Sequence, residues 1–159
     1  MSSFDLSGKV AVVTGANTGI GQGIVLALAA AGADVAAVGR SRAEDTAAKV
    51  RALGRKCELI DADLSSIAPV EGIVSQVVES LGSLDILVNN AGIIRREDSL
   101  DFTEADWDAV MDTNLKVLFF LCQAAARHMV GWSDQSGRRG KIINIASVSY
   151  THLRAHETK

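Results

Sequence analysis

The sequence predicts an α/β domain in which a doubly wound parallel sheet forms the middle of three layers, with helices on both faces. Short apolar runs typical of buried strands alternate with helical patterns along the chain. The first of these runs, residues 10–13, stops at the glycine-spaced turn of residues 15–21, which opens a helix. These observations indicate a Rossmann-like sheet with strand order 3-2-1-4-5, whose ligand site lies beyond the first strand.

The predicted elements follow one another from the N-terminus onwards. Strands are predicted at residues 10–13, 34–39, 56–61, 86–88 and 141–145. Helices are predicted at residues 21–31, 43–53 and 68–81, and a long helix is predicted from about Thr103. The third strand is more polar than its neighbours, which is typical of an edge strand.

Two local signals mark the ends of the long helix. Thr103 is followed three residues later by Asp106, an arrangement typical of a helix N-cap with an acidic residue in the first turn. Residues 131–140 are polar and contain several glycines, so we expect a loop there before the fifth strand.

Composition and charge exclude several classes of protein. Hydrophobic residues make up 48% of the chain, charged residues 22%, and the net charge is −3, so we expect a soluble cytoplasmic protein with neither a nucleic acid nor a membrane as partner. The N-terminus lacks the pattern of a signal peptide. Cys57 and Cys122 lack the spacing of metal ligands, so we expect reduced core thiols and no metal site.

The glycine-spaced turn is the candidate anion site. Gly15 permits a tight turn, Gly19 lets backbone N–H groups approach a pyrophosphate, and Gly21 lets the new helix pack closely on the strand. The unpaired N–H groups and the positive dipole end of that helix would hold the phosphates. The alternative is a glycine-rich turn that binds nothing.

The turn and a second motif resemble one family. Residues 14–21, TGANTGIG, resemble the TGxxxGxG loop of the short-chain dehydrogenases/reductases, and residues 89–92 resemble the NNAG signature of the same family. The resemblance implies that NAD or NADP lies across the strand ends. The cofactor-binding residues that it implies in these two motifs are Gly15, Asn17, Thr18, Gly19, Ile20, Gly21, Asn90, Ala91 and Gly92.

Two further positions bear on the cofactor. Arg40 stands after the second strand, where an acidic residue would bind a ribose 2′-OH and an arginine accommodates a 2′-phosphate. Arg40 thus favours NADP, but Thr18 stands where NADP-preferring relatives often carry a basic residue, so both cofactors stay open, as does a solvated role for Arg40. Asp63 and Leu64 resemble the pair that contacts adenine in the family, although Asp63 could equally be a helix N-cap.

The resemblance implies two catalytic residues. Asn114 lies inside an apolar helical stretch, where asparagine is intrinsically disfavoured. In the family an asparagine at this point holds a water of the proton relay; the alternative is a buried asparagine satisfied by the backbone. Ser147 follows the fifth strand and matches the serine that hydrogen-bonds the substrate oxygen, which makes it a substrate-binding residue as well.

The sequence departs from the family after Ser147. The family's Tyr-x3-Lys is absent: Tyr150 comes too soon after Ser147, and Arg154 stands in the lysine position. We therefore expect residues 1–148 to be the dinucleotide-binding domain and residues 149–159 to be a foreign tail. The family's sheet continues further, so we also expect the fold to be incomplete on its C-terminal side.

Residues 93–116 narrow the resemblance to one branch, the bacterial 2-deoxy-D-gluconate 3-dehydrogenases. This implies hydride transfer between NAD(P) and a secondary alcohol or ketone of a deoxy sugar acid, by a homo-oligomer. Arg95 or Arg96 would bind the substrate carboxylate, unless both arginines serve a loop or subunit contact with Glu97 and Asp98. The alternatives are a non-catalytic dinucleotide-binding module and another member of the family, such as a 3-oxoacyl reductase.

Overall fold

The computed structural model describes residues 4–136 and 139–146, with only the backbone for residues 132–136. Within these residues five parallel strands form one sheet in the order β3-β2-β1-β4-β5, which confirms the predicted strand order. The strands are β1 (Val10–Thr14), β2 (Asp34–Gly39), β3 (Cys57–Asp61), β4 (Ile86–Asn89) and β5 (Lys141–Asn144). The helices are α1 (Gly19–Ala30), α2 (Glu44–Ala52), α3 (Val70–Leu81), α4 (Glu104–Met111) and α5 (Leu118–Ser136).

β1 is the central strand, and all five of its residues are buried. Its side chains alternate between the two faces of the sheet, because successive residues of a strand point to opposite sides. Val12 belongs to the core layer under α3 and α5, whereas Val13 belongs to the layer under α1 and α2. This arrangement confirms the three-layer architecture.

The long helix differs from the prediction at two places. A π-helical turn, Asp112–Val117, separates α4 from α5, and such turns are frequent at functional sites. The loop predicted at residues 131–140 is wrong for its first six residues, because α5 continues to Ser136. No proline interrupts that stretch, and glycine and serine lower helix stability by only about 1 kcal/mol or less per residue.

The helical stretch Glu104–Gly131 is long and apolar enough to cross a membrane by length and composition alone. Its residues Val117, Leu121, Ala124 and Ala125 are nevertheless buried in the core against the sheet and α3. Since a core helix passes the same test, we assign the buried face of α5 to the core of the domain, whereas α4, at the start of the stretch, has no buried residue.

β5 and the outer side of α5 present large apolar side chains to solvent. Ile142 is 37% exposed, Ile143 46% and Phe119 57%. Ile142 and Ile143 point to opposite faces, so β5 is uncovered on both sides. This matches the expected incompleteness on the C-terminal side. Ser147, Tyr150 and the tail of residues 149–159 lie outside the described residues, so the domain boundary at 148 stays a prediction.

Candidate functional site

A cleft of about 360 Å³ lies where the carboxyl ends of β1 to β4 meet. Of the predicted site residues, the cleft is lined by Gly15, Asn17, Arg40, Asp63, Leu64, Ala91, Gly92 and Arg95. It is also lined by residues that the sequence analysis did not single out, among them Ser41, Ser65, Ala109 and Thr113. Ala109 and Thr113 come from α4 and the π-helical turn, and no sequence signal connects them to the strand ends.

The three glycines of the turn meet three different demands. Gly15 has a φ of +65°, and a Cβ there would lie 3.0 Å from the Asn90 Nδ2 atom. Gly21 is buried, and a Cβ there would collide with the Gly15 carbonyl oxygen and approach Asn90 Nδ2 to 2.6 Å. Gly19 has a φ of +56° and faces open space, with no atom within 4 Å of an added Cβ. The open side of Gly19 is thus accessible to a ligand.

The start of α1 is suited to an anion. Thr18 is its N-cap but makes no side-chain hydrogen bond to the first turn, and that turn holds no acidic residue. Thr18, Gly19 and Ile20 are exposed. The first N–H groups of a helix carry a partial positive charge, which here meets no side-chain acceptor from the cap. The residues of the turn therefore fit the diphosphate of a dinucleotide.

Asn90 and Thr14 fasten the end of β4 to the end of β1. The buried Thr14 Oγ1 accepts hydrogen bonds from the backbone N–H groups of Asn90, at 3.0 Å, and Ala91, at 2.9 Å. In return, Asn90 Nδ2 donates to the carbonyl oxygens of Thr14, at 3.0 Å, and Gly15, at 3.3 Å. The sequence analysis missed Thr14, although a polar residue ending an apolar strand is a usable signal.

Asn89 joins β4 to the next strand. Its Nδ2 donates to Asn144 Oδ1, at 2.9 Å, and to Cys122 Sγ, at 3.1 Å. Burial raises the pKa of the Cys122 thiol, and it raises that of Cys57 to about 11. Both cysteines are free and partly buried, so they lie at the margin of the core. Among the described residues, no group of three potential metal ligands lies together.

Arg40 lines the cleft at the end of β2. It makes no hydrogen bond or ion pair with the described residues, whereas the nearby Arg42 Nε lies 3.6 Å from carboxylates of both Glu44 and Asp61. Asn17 Nδ2 donates to Ser41 Oγ at 2.8 Å, which connects the glycine turn to the segment after β2. Arg40 is therefore the arginine that remains available to a ligand in this part of the cleft.

Asp63 forms a turn of its own after β3. Its Oδ1 accepts a hydrogen bond from the Ser65 N–H at 3.0 Å. α3 begins only at Val70, with Pro69 as its N-cap. The alternative of a helix N-cap for Asp63 is thus wrong, because the chain makes a further turn before the helix begins.

Asn114 lies in the π-helical turn and holds the backbone that follows the NNAG motif. Its Oδ1 accepts from the Ile93 N–H at 2.8 Å, and its Nδ2 donates to the Ile93 carbonyl oxygen at 2.8 Å. The backbone contact expected as the alternative therefore exists. A carboxamide has two donor hydrogens and two acceptor lone pairs, so each atom keeps capacity for one further partner such as a water. The relay role stays a prediction.

A second cavity of about 800 Å³ lies beside the first, between the segment after β4 and α4. Trp107, Phe102 and Met111 give it an apolar wall, and Asn114 also lines it. Its charged lining residues are the carboxylates Glu97 and Glu104 and one cation, Arg95. Arg95 Nε lies 3.2 Å from Asp106 Oδ1, so its ionic partner is Asp106 and not the expected Glu97 or Asp98. Arg96 is exposed and lines neither cavity.

Comparison with known proteins places this site in a family. The model of the short chain dehydrogenases matches residues 9–158. The 2-dehydro-3-deoxy-D-gluconate 5-dehydrogenase of Escherichia coli K12 is 49% identical over 148 residues, which are 93% of this chain and 57% of the relative. The chain thus spans little more than half the length of this curated relative.

Two solved structures have the same fold. A short-chain alcohol dehydrogenase from Sinorhizobium meliloti, described as putative, is 42% identical with a TM-score of 0.87, and the match covers 94% of this chain and 59% of that one. A putative 2-deoxy-D-gluconate 3-dehydrogenase from Agrobacterium tumefaciens, solved with bound NADP, is 43% identical with a TM-score of 0.80, over 93% and 56% of the two chains. With the glycine turn, the asparagine motif and the strand order in place, this chain belongs to the short-chain dehydrogenase family.

Proposed function

We propose that the protein is an NAD(P)-dependent oxidoreductase that transfers a hydride between the nicotinamide cofactor and a secondary alcohol or ketone of a deoxy sugar acid. The observation that carries the proposal is the 49% identity, over 148 residues, to a 2-dehydro-3-deoxy-D-gluconate 5-dehydrogenase. The matched stretch is long enough to contain the residues that line both cavities.

The cleft supports the cofactor part of the proposal. The open side of Gly19 and the uncapped first turn of α1 would hold the diphosphate, and Arg40 would face the adenosine ribose. Asp63 and Leu64 would border the adenine, and Ala91 and Gly92 would leave room beside the nicotinamide half. The bound nicotinamide supplies or accepts the hydride.

The free guanidinium of Arg40 supports NADP over NAD. A 2′-phosphate would form a charge-assisted contact with it, whereas a 2′-OH would leave it solvated. NAD remains the second candidate, because the other basic residue of this lining, Arg95, comes from the segment after β4 and not from the segment after β2 that would face the ribose.

Asn114 and Ser147 would carry the chemistry of this chain. Ser147 follows β5 in the sequence, and ligands bind at the carboxyl ends of the strands in sheets of this kind. Its hydroxyl would hydrogen-bond the reacting oxygen. The side-chain amide of Asn114 can make further hydrogen bonds beyond those to Ile93, and with these it would hold a water that passes the proton onwards. A tyrosine and a lysine from a continuation of the chain would complete the relay.

We propose a soluble cytoplasmic homo-oligomer as the working form. Trp107 of α4, Leu115 of the π-helical turn and Val130 of α5 are each more than half exposed, and exposed apolar side chains of this size are suited to an interface between subunits. Light scattering coupled to size-exclusion chromatography tests the assembly, and a monomeric full-length protein would contradict it.

The activity is tested on the full-length gene product that contains this chain. We expect reduction of NADP⁺ or NAD⁺ in the presence of 2-deoxy-D-gluconate, with D-glucitol as an uncharged control and a 3-oxoacyl thioester with NADPH as the competing substrate. Turnover of the thioester alone would contradict the sugar-acid assignment. Cofactor binding without turnover of any of these compounds would favour a non-catalytic module.

A further inference from the structure

Arg95 occupies a special place between the two cavities. Among the residues that the structure describes, it is the one that lines both the cleft at the strand ends and the second cavity beside α4. A substrate held in the second cavity would meet a cofactor in the cleft where these two spaces join. A cation at their junction is therefore positioned to meet a negatively charged group of the substrate. Arg96 lines neither space and has no such position.

Asp106 fixes one edge of the Arg95 guanidinium. Its Oδ1 lies 3.2 Å from Arg95 Nε. The carboxylate is itself held, because its Oδ2 accepts a hydrogen bond from Thr103 Oγ1 at 2.7 Å. Thr103 Oγ1 in turn accepts from the Asp106 N–H at 3.1 Å, as the N-cap of α4. The arginine is thus anchored to the first turn of a helix.

The anchoring leaves a matched pair of donors. A guanidinium presents five N–H groups in a rigid fork, and the Asp106 carboxylate forms its ion pair with Arg95 on the Nε side. No ion pair with the described residues involves the two Nη atoms, and their two parallel N–H groups match the two oxygens of a carboxylate. Ion pairs between half-exposed side chains add little to the free energy of unfolding. The contact between Arg95 and Asp106 is therefore better explained by its effect on the orientation of the guanidinium than by a contribution to stability.

We propose that Arg95 is the residue that recognises the carboxylate of the acid substrate, and that Asp106 is a positioning residue which aims it. This inference rests on the proposed function and narrows it: the substrate must carry its carboxylate at the junction of the two cavities. Arg96 takes no part in recognition.

The test compares variants of the full-length gene product with 2-deoxy-D-gluconate and with D-glucitol. Arg95→Ala should raise KM for the acid by about 10- to 100-fold, the worth of a charge-assisted contact, and leave KM for the polyol unchanged. Arg95→Lys should restore only part of the loss, since an ammonium lacks the fork. A rise in KM for Arg96→Ala with none for Arg95→Ala would overturn the assignment.

Asp106→Asn tests the positioning role. Asparagine can still accept from Thr103 Oγ1, so the helix cap survives while the charge is lost. We expect KM for the acid to rise several-fold with kcat unchanged. An unchanged KM would overturn the role of Asp106. A lowered KM would overturn it as well, because it would mean that Asp106 competes with the substrate for Arg95. Lys116→Ala is the matched control, because it removes another exposed ion pair, with Asp112, on the same helical stretch.

The outcomes separate this inference from the proposed function. If the wild-type protein oxidises the acid and Arg95→Ala does so with the same KM, the inference is wrong and the function stands. If the wild-type protein oxidises no sugar acid, both are wrong.

Discussion

Replacing Gly19 with alanine should weaken dinucleotide binding far more than it destabilises the fold. Its φ of +56° lies in the left-handed region, where an alanine costs roughly 1–2 kcal/mol. No atom lies within 4 Å of the new Cβ, so no steric overlap adds to that cost. For a protein of this family's size we expect the melting temperature to fall by about 2–8 °C.

The loss in binding follows from the same geometry. The methyl group would fill the open side of the turn, where the diphosphate must reach the first N–H groups of α1. Loss of one charge-assisted hydrogen bond costs about 1.5–3 kcal/mol, which corresponds to an increase in Kd of roughly 10- to 150-fold. Titration of NADPH fluorescence and thermal melting without ligand, on the same full-length protein, measure the two effects separately.

Two neighbouring glycines provide the controls. Gly23 lies inside α1 with open space around it, so Gly23→Ala should stabilise the protein by about 0.5–1 kcal/mol and leave Kd unchanged. Gly21→Ala should disrupt the fold, because its Cβ would collide with the Gly15 carbonyl oxygen. Unchanged cofactor binding in Gly19→Ala, or an equal loss in Gly23→Ala, would refute the reasoning.

Four further predictions concern other parts of the chain. Arg40→Asp should reverse a preference for NADP over NAD, because repulsion replaces attraction at the 2′-phosphate; a constant ratio of the two Kd values would mean that Arg40 is merely solvated. Thr14→Val should lower the free energy of unfolding by about 1–3 kcal/mol in urea titrations, since two partly buried N–H groups lose their acceptor; a change within error would contradict the fastening role. The Cys57 thiol, with its pKa raised to about 11, should react with iodoacetamide slowly at neutral pH and faster only as the pH approaches that value; fast labelling at pH 8 would contradict its burial. The 159-residue chain should melt at a lower temperature than the full-length protein, because Ile143 and Phe119 stay exposed, and should show no activity, because it lacks the family's Tyr-x3-Lys; equal melting temperatures would argue against a missing cover.

The fold was largely predictable because local patterns and one topological rule agree. Among the described residues, the apolar runs and the helix signals located the five strands and the first three helices to within a few residues, and the glycine turn after the first strand indicated the doubly wound fold with its strand order. The exceptions lie where neighbours override local preference. The π-helical turn around Asn114 interrupts a helix that the sequence pattern continues, and α5 extends into residues that resemble a loop.

The candidate site was predictable only in part. Backbone demands leave a signature in the sequence, so Gly15, Gly19 and Gly21 could be assigned separate roles in advance. Side-chain partners leave none when they come from distant segments. The Thr14 contacts with Asn90 and Ala91 span more than seventy residues, and only the pairing of β1 with β4 brings them together.

The sequence by itself determined the class of fold, the cofactor cleft and the family, because each depends on short motifs whose backbone geometry is local. The tertiary structure decided between alternatives that differ only in which groups meet. It removed the helix-cap role of Asp63, gave Arg95 an ionic partner on α4, and separated it from Arg96. The physical reason is that the residue type fixes the charge and shape of a side chain, whereas the distance to its partner depends on how the whole chain packs.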